Sequence, residues 1–141
     1  MNLSLEFFPS NNGDSKKILN VYDQLSFLEP RFVSVTYGAL GSDQDKSIDL
    51  AAALNNKSIE TAAHLTIANK SIKDIEVIVD KFIKKGIKKI VALRGDCPNN
   101  NYKEHPDGFS NTSEFVNFLV NRGLEVFVSS YPEHHPDSES F

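Results

Sequence analysis

The chain has 141 residues, of which 40% are hydrophobic and 24% charged, a composition typical of one globular domain and not of a disordered chain. The single cysteine excludes an internal disulfide, and the apolar run at the N-terminus is interrupted by Ser4 and Glu6, so we expect a cytoplasmic protein without a signal peptide. The formal charge is -4, and no long apolar run occurs. The basic run at 81–89 alternates with apolar residues, as expected for the solvent-exposed side of a helix and the residues that follow it. These features predict neither a nucleic-acid nor a membrane partner.

The predicted elements alternate between strands and helices. Five short runs rich in β-branched and aromatic residues predict strands at residues 3–8, 32–37, 61–67, 89–93 and 124–130. Four segments with helical periodicity lie between them, and the third has capping residues at 69–71 and Gly86 after its last turn. A full strand and helix unit about every 30 residues predicts parallel βαβ units.

Two α/β architectures fit this alternation. One is an open doubly wound sheet, which the chain length favours, and the other is part of a (β/α)8 barrel, which typically needs about 250 residues. The polar residues favour the barrel, because every strand carries polar groups at or just past its C-terminal end, as in a barrel mouth. These residues are Glu6, Thr36, His64, Arg94 with Asp96, and Tyr131.

Glu6 and His64 are the candidates for chemistry within strands. Glu6 is surrounded by apolar and aromatic residues on a strand that we expect to be buried. Such an environment favours a protonated carboxyl group, which makes Glu6 a candidate general acid. An ion pair with Arg or Lys is the equal alternative. A lone histidine such as His64 is more often a hydrogen-bonded core residue than a catalyst. No second ligand stands nearby at metal-binding spacing, so no metal site is predicted.

Two loop motifs each allow two interpretations. The turn at 36–42 has two glycines and several hydroxyls, which suits either phosphate binding or an ordinary strand-to-helix turn. Arg94 and Asp96 flank Gly95, so they either form a structural ion pair or point opposite charges into a cleft.

Five segments taken in order resemble methylenetetrahydrofolate reductase, and they span nearly the whole chain. They are Leu5–Pro9, Phe32–Ala39 with Gly41, Ser42 and Asp45, Ala63–Thr66, Ala92–Asp96, and Tyr131–Glu133 with His135 and Pro136. The resemblance implies that residues 1–141 are the N-terminal portion of a (β/α)8 barrel, with about five parallel strands and four helices, truncated at the C-terminus.

The resemblance also implies an activity in one-carbon metabolism and methionine biosynthesis. In that family, non-covalent FAD passes a hydride from NAD(P)H to 5,10-methylenetetrahydrofolate, which gives 5-methyltetrahydrofolate. Glu6 would protonate the folate nitrogen as the methylene bridge opens, and Asp96 would stand beside flavin and pterin, so both are implied to be catalytic and substrate-binding. The residues implied to bind FAD are Thr36, Tyr37, Ala39, His64, Arg94, Gly95, Asp96, Tyr131 and His135.

The chain departs from the family in two respects. An aromatic residue usually precedes the helix after the Arg-Gly-Asp loop, where this chain has Asn111, with Phe109 and Tyr102 as substitutes. Strands beyond the fifth are not matched, so we expect a chain incomplete for activity alone, which self-associates or pairs with a missing C-terminal half. The alternative is a non-catalytic half-barrel or open-sheet module that binds flavin or folate and needs a partner chain.

Overall fold

The structure, a computed structural model, describes residues 3–9, 15–37, 44–95 and 105–129. It confirms the predicted alternation of strands and helices, with strand boundaries shifted by at most two residues. The elements are β1 (Ser4–Phe7), α1 (Ser15–Leu25) with a 3-10 turn at Ser26–Leu28, β2 (Phe32–Val35), α2 (Gln44–Asn56), β3 (Thr61–Thr66), α3 (Ile72–Lys84), β4 (Lys89–Leu93), α4 (Thr112–Asn121) and β5 (Glu125–Val128).

The strands form one parallel sheet in the order β1-β2-β3-β4-β5. Each crossover therefore steps in the same direction along the sheet, as in a barrel, whereas a doubly wound sheet reverses direction at a switch point. The strand order decides between the two predicted architectures. The fold is a five-stranded part of a (β/α)8 barrel, as predicted from the polar strand ends and against the argument from length.

The hydrophobic core lies between the sheet and its helices. Alternate strand residues such as Val33, Val35, Leu65 and Ile90 point into it and are almost fully buried. From α3 the core receives one apolar stripe, consisting of Ile75, Ile78, Val79 and Phe82. This arrangement leaves the other set of alternate side chains on the opposite face of the sheet.

That opposite face is curved. Phe32 of β2 and Phe127 of β5 stack with ring centroids 5.0 Å apart, although their strands are three positions apart, roughly 14 Å on a flat sheet. The strands must curl for the two rings to meet. We call this surface the concave face; its described members include Glu6, Phe32, Ser34, Thr36, Ala62, His64, Thr66, Lys89, Val91, Leu93, Glu125 and Phe127.

Lys89 does not have the position that its sequence context predicts. We expected the whole basic run to lie on a helix and its exit, but Lys89 begins β4 and points to the concave face. Its Nζ lies 3.3 Å from Glu60 Oε2 and also pairs with Glu125. This ion-pair cluster and the stacked Phe32 and Phe127 rings share the concave face.

Candidate active site

The C-terminal end of the concave face, which we call the mouth, gathers side chains from neighbouring strands. Glu6 pairs in register with Ser34, and Ser34 with Ala62. Thr36 and His64 each lie two residues further along their strands, so they point to the same face one step closer to the mouth. Glu6, Thr36 and His64 therefore come from β1, the end of β2, and β3, and they share one surface, as predicted.

Glu6 is held by a neighbouring hydroxyl group. Thr36 Oγ1 donates a hydrogen bond to Glu6 Oε1 at 2.9 Å. The prediction that Glu6 is buried is wrong, because its side chain is exposed on the concave face while its neighbour Phe7 enters the core. No described cation forms an ion pair with Glu6, so the structural ion pair that we considered is not formed within the described residues.

His64 is buried to 9% exposure and makes no hydrogen bond among the described residues. The hydrogen bond of the core histidine that we considered is therefore not formed within the described residues. Burial lowers the pKa of His64 below its ordinary value, and the charge of Glu6 opposes this shift only in part. Because the ordinary pKa of histidine is 6.5, a pKa below that value means that the imidazole is neutral at pH 7. One of its nitrogens can then donate a hydrogen bond and the other can accept one.

Tyr37 lies on the other face of the sheet from Thr36. Its ring packs against Phe82 of α3, with centroids 6.3 Å apart, and is only 5% exposed. Among the described residues, the buried Tyr37 hydroxyl has no hydrogen-bond partner, and burial, followed by the nearby Asp45 charge, raises the Tyr37 pKa. The structure therefore does not bring the Tyr37 ring to the mouth.

Arg94 and Gly95 continue β4 toward the mouth. The Arg94 carbonyl accepts a hydrogen bond from the Ala68 N–H at 2.9 Å, which extends the pairing of β3 with β4 past the end of both strands. Gly95 has a φ of +84°, and a Cβ placed there would lie 2.8 Å from the Thr66 Cβ. Asp96, Ala39, Tyr131 and His135 fall outside the described residues.

Lys70 is a mouth residue that the sequence analysis missed. It lies in the loop between β3 and α3, and its Nζ donates to Thr66 Oγ1 at 3.0 Å. The only signal in the sequence is its position after a strand end, next to the residue that caps α3. A lysine in such a loop is usually solvated, so the pattern did not distinguish it.

The substitutes considered for an aromatic contact near Asn111 have other positions. Asn111 caps α4, and its Oδ1 accepts a hydrogen bond from Glu114 N at 2.9 Å. Phe109 is buried against Phe115 and Phe118, with centroids 5.4 and 5.3 Å away. Phe109 therefore belongs to the packing around α4, and Tyr102 lies outside the described residues.

The described residues contain neither a candidate metal site nor a candidate membrane span. No group of three or more His, Cys, Asp or Glu side chains there could hold a metal ion. None of the helices in the same part of the chain combines the length and apolar character needed to cross a membrane.

Fold and site together define a barrel-type α/β protein whose polar side chains stand at the C-terminal ends of parallel strands, where barrel enzymes carry their active sites. The chain belongs to the methylenetetrahydrofolate reductase family, whose model matches residues 1–141.

Known proteins agree with this assignment. The chain is 36% identical over 143 residues to the 5,10-methylenetetrahydrofolate reductase of Pectobacterium carotovorum subsp. carotovorum and 35% identical to that of Escherichia coli (strain K12), in both cases over 99% of this chain and 47% of the relative. It is 33% identical to methylenetetrahydrofolate reductase (NADH) 1 of Arabidopsis thaliana, over 95% of this chain and 24% of that protein. The chain therefore spans about half the length of these bacterial relatives.

Solved structures support the fold alone. Streptococcus suis SuiB bound to S-adenosylmethionine superposes with a TM-score of 0.53 at 14% identity, covering 94% of this chain and 42% of SuiB. A second structure of SuiB gives the same TM-score at 15% identity, over 98% and 43% of the two chains.

Proposed function

We propose that the mouth is part of the active site of an FAD-dependent reductase that converts 5,10-methylenetetrahydrofolate to 5-methyltetrahydrofolate with NAD(P)H. The observation that carries the proposal is the convergence of Glu6, Thr36 and His64 from adjacent strands on one open surface, in a chain of this family. The match of relatives that bear the reductase name along nearly the whole chain supports the same reaction.

The described residues of the mouth fit a flavin. A flavin ring needs apolar surface for its faces and hydrogen-bonding groups for its polar edge. Val91 and Leu93 of β4 are partly exposed on the concave face. The His64 imidazole stands on the adjacent strand β3, and the Thr36 hydroxyl stands one strand further, at the end of β2. When bound, FAD would supply a carrier that accepts and delivers a hydride.

The residues that would hold the cofactor come from successive strand ends. Thr36, His64, Arg94 and Gly95 would contribute among the described residues, joined by Ala39, Asp96, Tyr131 and His135 from outside them. Tyr37 would contribute through its backbone, because its ring is in the core. A neutral His64 can present either a donor or an acceptor to the flavin without adding a positive charge to the site.

Glu6 would deliver the proton that the reaction requires. Thr36 occupies Oε1 of the carboxyl group with its hydrogen bond, which leaves Oε2 to carry a proton. From the exposed mouth, Oε2 could reach the folate nitrogen that becomes an amine as the methylene bridge opens. Asp96, one residue past Gly95, would supply the negative charge that stabilises the resulting cationic one-carbon group.

We further propose that catalysis needs strands beyond the five described. Strands β1 and β5 are the two edges of the described sheet, and the bacterial relatives are about twice as long as this chain. The remaining strands would come from a C-terminal half or from self-association. The exposure of Glu6 favours a second candidate, a non-catalytic half-barrel that binds flavin or folate and needs a partner chain, because an exposed carboxyl group lacks the enclosure typical of a general acid.

Substitution of Glu6→Gln tests these proposals. Wild type, the Glu6→Gln variant and a Glu76→Gln control on the exposed side of α3 are titrated with FAD, and turnover is measured for each chain alone and mixed with a polypeptide that supplies the remaining length of the Escherichia coli relative. We expect Glu6→Gln to bind FAD like wild type and to lose turnover by about 100-fold or more, because it cannot donate the proton. Glu76→Gln should match wild type in both measurements.

The other outcomes distinguish the candidates. Turnover by Glu6→Gln at the wild-type rate would remove Glu6 from the mechanism. Stoichiometric FAD binding by wild type with no turnover in either preparation would favour the non-catalytic half-barrel. An absence of FAD binding in every preparation would contradict both.

A further inference from the structure

Lys70 folds back over the end of β3 and places its ammonium group among neutral partners. Its Nζ donates to Thr66 Oγ1 at 3.0 Å and to the Ala68 carbonyl at 3.4 Å, and it lies 5.7 Å from the Tyr37 ring centroid. Within the described part of the chain, Lys70 forms no ion pair. The side chain thus carries a partly buried positive charge, and none of its contacts among the described residues neutralises that charge.

Asp74, the described carboxylate whose charge acts on Lys70, is engaged elsewhere. Asp74 closes the cap of α3, where its Oδ2 accepts from Ser71 N at 3.0 Å and from Ser71 Oγ at 2.7 Å. Burial lowers the pKa of Lys70, and the charge of Asp74 opposes this shift as the smaller influence. Removing an ammonium group from water is costly unless an anion compensates for the lost hydration.

Lys70 and Thr66 retain hydrogen-bond donors for such an anion. An ammonium group has three N–H donors, and two of them have acceptors here. The Thr66 hydroxyl accepts from Lys70, so its own hydrogen remains available for donation. Phosphate oxygens suit these donors, because they are charged and can accept several hydrogen bonds.

Both groups lie at the rim of the mouth. Thr66 ends β3 on the face that also carries His64, and Gly95 packs directly against its Cβ. The Lys70 ammonium also lies 5.7 Å from the centroid of the core-facing Tyr37 ring, so it stands over the end of the sheet between its two faces. A phosphate group bound by Lys70 and Thr66 would therefore lie beside the proposed flavin site.

We propose that Lys70 and Thr66 form a phosphate subsite, which holds the diphosphate of a dinucleotide at the rim of the mouth. The proposal rests on the proposed function for the identity of the dinucleotide as FAD. Neither Lys70 nor Thr66 is among the residues that the family resemblance implies to bind FAD.

Comparison of flavins with and without phosphate tests the subsite. Riboflavin, FMN and FAD are titrated by fluorescence into wild type, Lys70→Met and a Lys73→Met control, which removes the same charge from an exposed position three residues further along the chain. We expect Lys70→Met to weaken FAD binding by about 10-fold or more while riboflavin binding stays unchanged, because a hydrogen bond to a charged group is lost. Lys73→Met should leave both affinities at the wild-type value.

Further variants keep the test informative if Lys70→Met folds poorly. Thr66→Val removes the second donor and should also weaken FAD binding selectively, whereas Lys70→Arg keeps the charge and should recover most of the affinity. FAD affinity unchanged in both Lys70→Met and Thr66→Val would overturn the subsite. So would an equal loss for riboflavin and FAD, since it would show that Lys70 only supports the fold.

A failure of the proposed function gives a different result. If wild type binds no flavin, inorganic pyrophosphate and ADP are titrated by calorimetry into the same proteins. Binding of either ligand that Lys70→Met removes and Lys73→Met retains would support a phosphate subsite that serves a different ligand. No binding of pyrophosphate or ADP to wild type would overturn the subsite as well.

Discussion

Gly95 shows how a single residue sets the geometry of the mouth. Its φ of +84° lies in the left-handed region that favours glycine, and a Cβ would lie 2.8 Å from the Thr66 Cβ and 3.1 Å from the Ala68 Cβ. Backbone conformation and close packing therefore both exclude a side chain. A displacement here would separate the ends of β3 and β4, where Thr66 contacts Lys70.

We expect Gly95→Ala to destabilise the fold by about 2–4 kcal/mol, the sum of a strained φ and an overpacked contact. Gly123→Ala is the matched control, because Gly123 has a φ of +77° and nothing within 4 Å of a hypothetical Cβ. It should cost only about 1 kcal/mol for the φ strain. The free energy of unfolding is measured by urea denaturation, and equal losses in the two variants would contradict a steric role for the Thr66 contact.

The candidate site was predictable residue by residue only in part. Parallel strands bring their C-terminal ends to one edge, so the sequence predicted that Glu6, Thr36 and His64 come together. The opposite directions of Thr36 and Tyr37 follow from the two-residue period of a strand, a rule that the family resemblance did not take into account. The exposure of Glu6 depends on what covers the concave face, which no local pattern contains.

Among the helices and strands, α3 has the start and stop signals that are easiest to predict from the sequence. Ser71 accepts a hydrogen bond from Asp74 N, and Asp74 accepts one from Ser71 N, which together form the capping box. Gly86, with a φ of +76°, follows the C-terminal turn as predicted. The start of α3 also positions the loop that carries Lys70.

Ser71→Ala should destabilise the fold by about 1 kcal/mol, because it leaves the N–H of Asp74 without its acceptor. Ser113→Ala serves as the control, since Ser113 is exposed in the first turn of α4 and the cap of that helix is Asn111. The control should change stability by less than about 0.5 kcal/mol. Thermal unfolding of both variants gives the comparison, and a Ser71→Ala melting temperature equal to that of wild type would rule out a stabilising cap.

The curvature of the sheet and its two open edges bear on whether the chain associates. The stacking of Phe32 on Phe127 shows that the sheet curls, and β1 and β5 end the described sheet without a further strand. Parallel edge strands with exposed apolar side chains tend to associate. Val128 at the end of β5 is 60% exposed and is therefore a suitable probe of this tendency.

We expect the chain by itself to form oligomers at micromolar concentration and Val128→Lys to shift it toward monomer, because a charged residue disfavours pairing at a sheet edge. Val77→Lys is the control, since Val77 has a similar exposure of 58% but lies on helix α3. Sedimentation velocity measures the mass of each species. Identical distributions for the two variants would show that the β5 edge does not mediate association.

The order and type of the elements, the cap of α3 and the family could all be predicted from the sequence, because each of these depends on local periodicity or on matched motifs. Three features became evident from the folded chain: the sheet is singly wound, Glu6 is exposed while the Tyr37 ring is buried, and Lys70 lies over Thr66. These features depend on which strands pair and which side chains meet across the sheet. Such contacts join residues far apart in the chain, so no local window of sequence specifies them.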